Sequence, residues 1–421
     1  MRALILSTTT GYQLRSFGEA AGRTGIDLIF ATDRCHRLDD PWRDAAVAVR
    51  FHEEDRSLRA IVEAARATPI HGVIAVGDRP VVLAARAAEA LALPGNPPAA
   101  AAASANKKLA REAFARAGLP VPWFFEADPA SEIAADRRVL YPCVVKPLGL
   151  SGSRGVIRAN DPGELHAAVA RVRALLLRKD VRAIRSGLTD TILIEGFIEG
   201  REYAIEGVLT GGVFRPFAIF DKPDPLDGPF FEETIYVTPS SLRPDQQQSM
   251  IEHVSLAARS LALLNGPVHA ECRLGPHGIF ILEVAARPIG GLCARVLRFG
   301  DHGEADDTTL EDVLLRHAVG EDISRYKREP RAAGVMMIPI PKRGMLKQVH
   351  GIERARQVAG IEDVRITAKT DQVIEPLPEA ASYLGFIFAR AADPRSVVEA
   401  LRQAHAELRF DIAAPIAVTS S

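Results

Sequence analysis

The stretch HAECRLGPHGIFILEVAARPIGG (269–291) decides how this chain is read. Two apolar runs flank Gly-Pro-His-Gly, the pattern of a β-hairpin. Pro276 and His277 are expected at the centre of a type I turn, with Gly278 in the left-handed position that follows. A three-residue loop, 276–278, would set residue 275 against 279 and carry Glu271 opposite Glu283. Directly opposed side chains share a face, with Cβ atoms roughly 5 Å apart. Two carboxylates that close repel each other unless a cation lies between them. Mg²⁺, hard and oxygen-seeking, is the ion that does this beside phosphate. The competing reading is a solvated acidic pair. Against it stand the small and apolar neighbours Ala270, Cys272, Ile281 and Val284, which place the hairpin inside a cleft. Arg287 follows four residues after Glu283 and leads into Pro288-Ile289-Gly290-Gly291.

Bulk properties narrow the class. A chain of 421 residues is long enough for two to four compact units, and 47% hydrophobic with 25% charged residues is ordinary for a soluble protein. Lys+Arg 52 against Asp+Glu 53 gives a formal net charge of −1, which argues against nucleic-acid and membrane partners. Cys35, Cys143, Cys272 and Cys293 lack metal-ligand spacing and sit in or beside apolar stretches. Buried free thiols in a reducing compartment are therefore expected. The opening MRALILSTTT reads as a strand rather than a signal peptide, and no segment approaches the ~18 apolar residues of a membrane span. The expected location is cytoplasmic.

Up to about residue 100 the pattern alternates strand (3–7, 27–32, 45–49, 72–77) and helix (12–22, 56–67, 80–91), which implies a parallel sheet with crossover helices. No GxGxxG follows the first strand. The alanine run 99–105 leads into an amphipathic helix ended by Gly118. From 141 the texture changes to hairpins, with a helix at 162–177 and a basic stretch, 178–187, read as a solvated connection. Apolar runs at 191–198, 202–209 and 213–220 precede the proline-rich, acidic segment 221–242, long enough to be functional. A helix at about 244–264 leads to the acid hairpin. A tail module follows, with strands near 334–340 and 384–390 and a helix near 394–407.

Two upstream segments carry nucleotide chemistry. Lys146 closes the apolar run CVVK and is followed by G-L-S-G-S-R-G (149–155), whose backbone N–H groups can cradle an anion. The loop joins two strands and lacks a GK[ST] ending, so it reads as a mobile flap over phosphates rather than a Walker A loop; a plain hairpin turn is the alternative. In ILIEGFIEGRE (192–202), an extended segment offers backbone groups to an adenine edge, Ile198 to its face and Glu202 to ribose hydroxyls. Lys107 could reach a nucleotide from the opposite wall, or be a surface lysine like Lys108.

Taken in order, N-K (106–107), V-V-K-P (144–147), G-L-S-G-S-R-G-V (149–156), I-E-G-F-I-E-G-R-E (194–202) and Glu271…Glu283 with A-R-P-I-G-G resemble the ATP-grasp superfamily over residues 1–320. The E-V-A-A-R-P-I-G-G segment, the F-E-E-T-I-Y-V-T-P-S loop (231–240) and the size of the tail are most similar to L-amino-acid ligases and carnosine-synthase-like enzymes. The resemblance implies a mixed α/β and α+β fold. It would have a Rossmann-like N-terminal domain (1–104), a small ATP-binding subdomain with the flap (105–189), a large one with the Mg²⁺ site (190–320), and an α+β C-terminal module (321–421). ATP would be held between two sheets. It implies nucleotide contacts from Lys107, Lys146, Ser151, Gly152, Ser153, Gly155, Glu195, Phe197, Ile198 and Glu202. Glu271 and Glu283 would hold Mg²⁺, with Mn²⁺ as a substitute. Ala285 stands where many ATP-grasp enzymes carry a metal-binding Asn, a departure shared with the amino-acid-ligase group.

The expected reaction is ATP-dependent amide formation through an acyl phosphate, with small-molecule carboxylate and amine substrates, amino acids foremost. Catalysis is assigned to Arg287, Glu283 and Lys146. Arg287 clamps the substrate carboxylate, its alternative role being a salt bridge that orders Glu283. Glu233 would hold an ammonium group, in competition with Glu232 and Asp227, and Gly290 and Gly291 would leave room for substrate. Analogy suggests a homodimer. Two rivals stand beside this reading: a bicarbonate-activating enzyme of the biotin-carboxylase or carbamoyl-phosphate type, and a nucleotide-binding regulatory subunit without turnover.

Overall fold

The computed structural model describes residues 1–8, 13–33, 46–133, 136–188, 190–301, 307–380 and 382–414. Cys35 and the start of the expected helix at 12 lie outside them. The chain divides into two compact units. The first comprises Met1–Val121, Tyr203–Ile219 and Leu242–Pro330, and the second Pro122–Glu202, Phe220–Ser241 and Arg331–Ser421.

The first unit opens with the expected parallel sheet, strands Arg2–Ser7, Asp27–Thr32, Ala46–Ala48 and Gly72–Val76. The first strand lies between the second and the fourth, so the winding reverses across it. Ligands in open α/β sheets gather at the carboxyl ends of strands where this reversal occurs. The alanine run itself forms a helix, Pro98–Ser104, and Asn106 then caps the helix Lys107–Arg116 by accepting from the backbone N–H groups of Lys108 and Leu109 at 3.0 and 3.2 Å. An antiparallel layer follows in the order Gly278–Ala285, Gly266–Gly275, Arg201–Thr210, Val213–Asp221. Its apolar face packs on the helix Pro244–Ser260 in one core that also contains Phe114, Val254, Ala270, Cys272 and Val284.

The second unit holds an antiparallel sheet ordered Phe124–Ala127, Ile192–Gly196, Cys143–Pro147, Ile157–Ala159, backed by the helix Pro162–Leu176. It also holds the strands Ile235–Thr238, Ala332–Ile338, Gly385–Ala391 and Ile361–Ile366, covered by the helix Pro394–Ala406. Two sequence expectations change here. The segment 221–242 contributes the sheet strand Ile235–Thr238, because Ile235, Tyr236 and Val237 are all buried. The basic stretch 178–187 contains a short helix, Lys179–Arg182, which buries Val181, so it is not simply a solvated connection. Cys143, Cys272 and Cys293 are buried free thiols, as their apolar settings predict.

Candidate active site

The acid hairpin pairs Glu271 directly with Glu283, by a route different from the one expected. The turn has two residues, Pro276 and His277, so Gly275 faces Gly278 and Cys272 faces Ile281. Continued unbroken, that register would set Glu271 against Leu282. A bulge between Glu271 and Cys272 absorbs Leu282 and restores the acid pair. Bulges leave backbone groups unpaired, and Arg111 supplies the partners: its guanidinium donates to the carbonyls of Ile281 and Leu282 at 3.0 and 2.9 Å. At 2% exposure, Arg111 is one of the largest almost wholly buried side chains among the described residues. Arg111→Met should remove both of these donors and cost about 2–3 kcal/mol. Urea unfolding would check the cost.

Strand alternation then fixes the neighbourhood. Ala270 and Val284 face the core, while His269, Glu271, Glu283 and Ala285 share the other face. His269 lies directly across from Ala285. His269 Nδ1 lies 3.1 Å from the fully buried Glu206, and its Nε2 lies 3.8 Å from Glu271. Burial opposes the imidazolium, but the hydrogen bond to Glu206 and the nearby Glu271 carboxylate raise the His269 pKa to about 9. Burial likewise pushes Glu206 up, against His269, the Ile289 N–H and Arg287. The flanking of His269 by two carboxylates favours the ionised pair. Glu206 also accepts from the Ile289 backbone at 3.2 Å, and Gln13 donates to the Ile289 carbonyl. The start of the Ile289-Gly290-Gly291 turn is therefore held from both sides, and a side chain built on Gly290 would meet no atom within 4 Å.

Arg287 is 9% exposed and does not take Glu283 as its hydrogen-bonded partner. Its Nε donates to Asp78 at 2.7 Å and its Nη1 to the Pro288 carbonyl at 3.1 Å. Asp78 follows the strand Gly72–Val76, at the carboxyl end beside the winding reversal. Burial opposes the charge on Arg287, yet Asp78, Glu283 and Glu271 together hold its pKa above the ordinary arginine value. Lys107, also in this unit, sits half-buried in the first turn of its helix, and the neighbouring Lys108 pairs with Glu112 at 2.8 Å.

In the second unit Lys146 and Glu195 form an ion pair, with Glu195 1% exposed. Antiparallel pairing sets Val144 opposite Glu195 and Lys146 opposite Leu193, so the two charges are diagonal neighbours on one face. Ile198 is buried, whereas Phe197 stacks on Phe231 at 6.4 Å and lies under Arg158 at 4.1 Å. Glu202 and Glu233, read separately from sequence, share one cation. Lys222 Nζ lies 2.7 Å from Glu202 and 2.6 Å from Glu233, and its side chain is only 3% exposed. The two acids that compete with Glu233 are placed differently. Burial pushes the Glu232 pKa up, partly offset by a hydrogen bond from the Ile340 backbone, and the Asp227 carbonyl accepts from Arg158. In the glycine loop, Ser151 and Gly152 are exposed and Ser153 is half-buried, while Arg154 and Gly155 are buried.

Parallel sheet, acid hairpin and antiparallel lysine-bearing sheet define the class: the chain has the ATP-grasp fold and carries ATP-grasp domains. An ATP-grasp domain matches residues 139–296, an ATP-grasp N-terminal domain 18–95, and the L-amino acid ligase C-terminal domain 2 residues 336–413. The chain is similar to the crystal structure of an L-amino acid ligase from Bacillus licheniformis, with a TM-score of 0.82 and 26% identity over 98% of this chain and 99% of that one. It is 29% identical to human carnosine synthase 1 across 58% of this chain and 31% of that protein. It is 27% identical to the alanine–anticapsin ligase of Bacillus subtilis, across 56% of this chain and 52% of that protein. The chain thus spans a third to a half of the length of those two relatives. Among the described residues, no helix is long and apolar enough to cross a membrane.

Proposed function

We propose that this chain joins the carboxyl group of one small molecule to the amine of another, amino acids foremost, at the expense of ATP. The observation that carries the reading is the cross-strand pairing of Glu271 with Glu283 beside the buried Arg287. The donor set fits the expected ion: two hard carboxylates on one hairpin face, with a guanidinium near enough to respond to both. Glu271 and Glu283 would hold Mg²⁺, and Mn²⁺ should substitute. When bound, the metal would supply positive charge against the β- and γ-phosphate oxygens.

The protein's own share follows from its charges. A carboxylate is a poor electrophile, so the γ-phosphoryl group must first move onto it: the bond to ADP breaks and an acyl phosphate forms. The amine then attacks the carbonyl carbon, phosphate leaves, and the amine gives up a proton. Arg287, held by Asp78, presents a planar fork suited to a carboxylate and to the oxyanion of the tetrahedral intermediate. Lys146 would contact phosphate and the adenine side, with Lys107 and the backbone of Ser151, Gly152, Ser153 and Gly155 as further phosphate contacts. Glu195, Phe197 and Ile198 would line the adenine and Glu202 the ribose. Exclusion of water by the flap protects the acyl phosphate from hydrolysis. Glu233 would serve a substrate ammonium only in company with Lys222, so the pair of acids around that lysine offers one net negative charge. The open space at Gly290, with Gly291, leaves room for a substrate side chain. The division at 1–104, 105–189, 190–320 and 321–421 is proposed as the functional partition, and a homodimer as the assembly.

A phosphate-release screen of amino acids, singly and in pairs, with ATP and Mg²⁺ tests the reading. Release that requires a particular pair, with a dipeptide product by mass spectrometry, is expected. Bicarbonate-dependent ADP release without an amine would favour a bicarbonate-activating enzyme. The match of residues 336–413 to the L-amino acid ligase C-terminal domain weighs against that rival.

A further inference from the structure

The glycine loop is tethered at one end by the C-terminal module. The Gly155 N–H donates to the carbonyl of Pro378 at 2.9 Å, and Arg154 Nε donates to the carbonyl of Glu379 at 3.1 Å. A Cβ on Gly155 would stand 2.6 Å from Pro147 and 2.9 Å from Leu175, so this end of the loop is wedged between the Lys146 strand and the helix Pro162–Leu176. The lip that supplies these carbonyls is itself clasped by arginines. Glu379 takes a two-pronged contact from Arg171 at 2.6 and 2.8 Å. Glu375 meets Arg178 at 2.6 Å and Arg343 at 3.0 Å. Arg154 adds an ion pair to Asp180. One exposed ion pair alone contributes little. A set of them acting on one short lip, with a bidentate member, holds its geometry far better.

We propose that the C-terminal module positions the phosphate flap, with Arg154 and Glu379 as positioning residues. The lip at 375–380 fixes the Arg154–Gly155 end as a hinge and leaves the exposed tip, Ser151–Gly152, as the part that closes on nucleotide. This rests on the ligase reading for the flap's purpose, though the tether itself does not. The module matched to ligases of amino acids thus acts on the ATP half of the reaction through backbone carbonyls, which no side-chain motif would reveal.

The test uses the full chain. Glu379→Arg should repel Arg171 and lift the lip. Trypsin should then cut after Arg154, which is 8% exposed in the native fold, at least about tenfold faster by mass spectrometry. KM for ATP should rise about tenfold, and more ADP should be released per product formed. The exchange Arg171→Glu with Glu379→Arg should restore protection, KM and coupling together. Unchanged cleavage after Arg154 in Glu379→Arg would overturn the tether. Faster cleavage with an unchanged KM for ATP would overturn its role in positioning the flap. Absence of amine-dependent turnover in the native protein would instead count against the ligase reading, and cleavage with calorimetric ADP binding would still judge the tether.

Discussion

Glu283→Gln is expected to lower ATP turnover by at least ~10²-fold while the protein stays folded. Glutamine keeps the size and the hydrogen-bonding plane of the side chain, so the hairpin can keep its packing. What disappears is one of two negative charges on directly opposed residues. In the metal-free protein that loss relieves repulsion from Glu271 but also removes an attraction to Arg287, so the melting temperature should change little. With Mg²⁺ the native protein should gain stability by binding, and the variant much less. Coupled-enzyme ADP assays and thermal melts with and without Mg²⁺ would check both halves. Near-normal ADP release from Glu283→Gln would remove this residue from the metal site.

The second large effect is at Arg287. Removal of the whole side chain confounds two roles, because Asp78, whose side chain is 30% exposed, would lose its 2.7 Å ion pair with the buried arginine. Breaking such a half-buried pair by deleting one member costs less than the roughly 3 kcal/mol of a fully buried one. Arg287→Ala is therefore expected both to lose product formation and to lower the melting temperature. Arg287→Lys separates the roles. A lysine keeps a cation beside Asp78 but loses the planar fork, and the two are not interchangeable where two oxygens are gripped at once. Product formation should fall about 10²-fold with ATP binding largely intact and a melting shift of only a few degrees. Native turnover in Arg287→Lys would leave the residue as a tie to the N-terminal sheet and nothing more.

Much of this was legible in the residues, for identifiable reasons. Alternation of strand and helix is a local, periodic signal, and the parallel sheet followed from it. The acid pairing was also legible, but through two departures that cancel: a turn one residue shorter and a bulge one residue longer. No local pattern announces that bulge, since Arg111, which satisfies its carbonyls, lies about 170 positions earlier in the chain. Asp78 and Gln13 were missed for the same reason, their partners being distant in sequence. Other omissions had a visible signal. Glu206 interrupts the apolar run EYAIEGVL, and an acid in a strand buried on both faces must find a partner, which His269 provides. Lys222 follows the apolar strand ending in FAIFD just as Lys146 closes CVVK, and the reasoning applied to one applied to the other. The C-terminal lip speaks through main-chain carbonyls, to which side-chain motifs are blind.

A divalent ion shared by Glu271 and Glu283 is the centre of the proposed chemistry. Crystals grown with Mn²⁺ and a non-hydrolysable ATP analogue would locate that ion by its anomalous signal. The expected peak lies within about 2.3 Å of a carboxylate oxygen from each residue and touches the analogue's phosphates. A peak bound elsewhere, with both carboxylates engaged only by protein groups, would contradict the assignment on which the proposed chemistry stands.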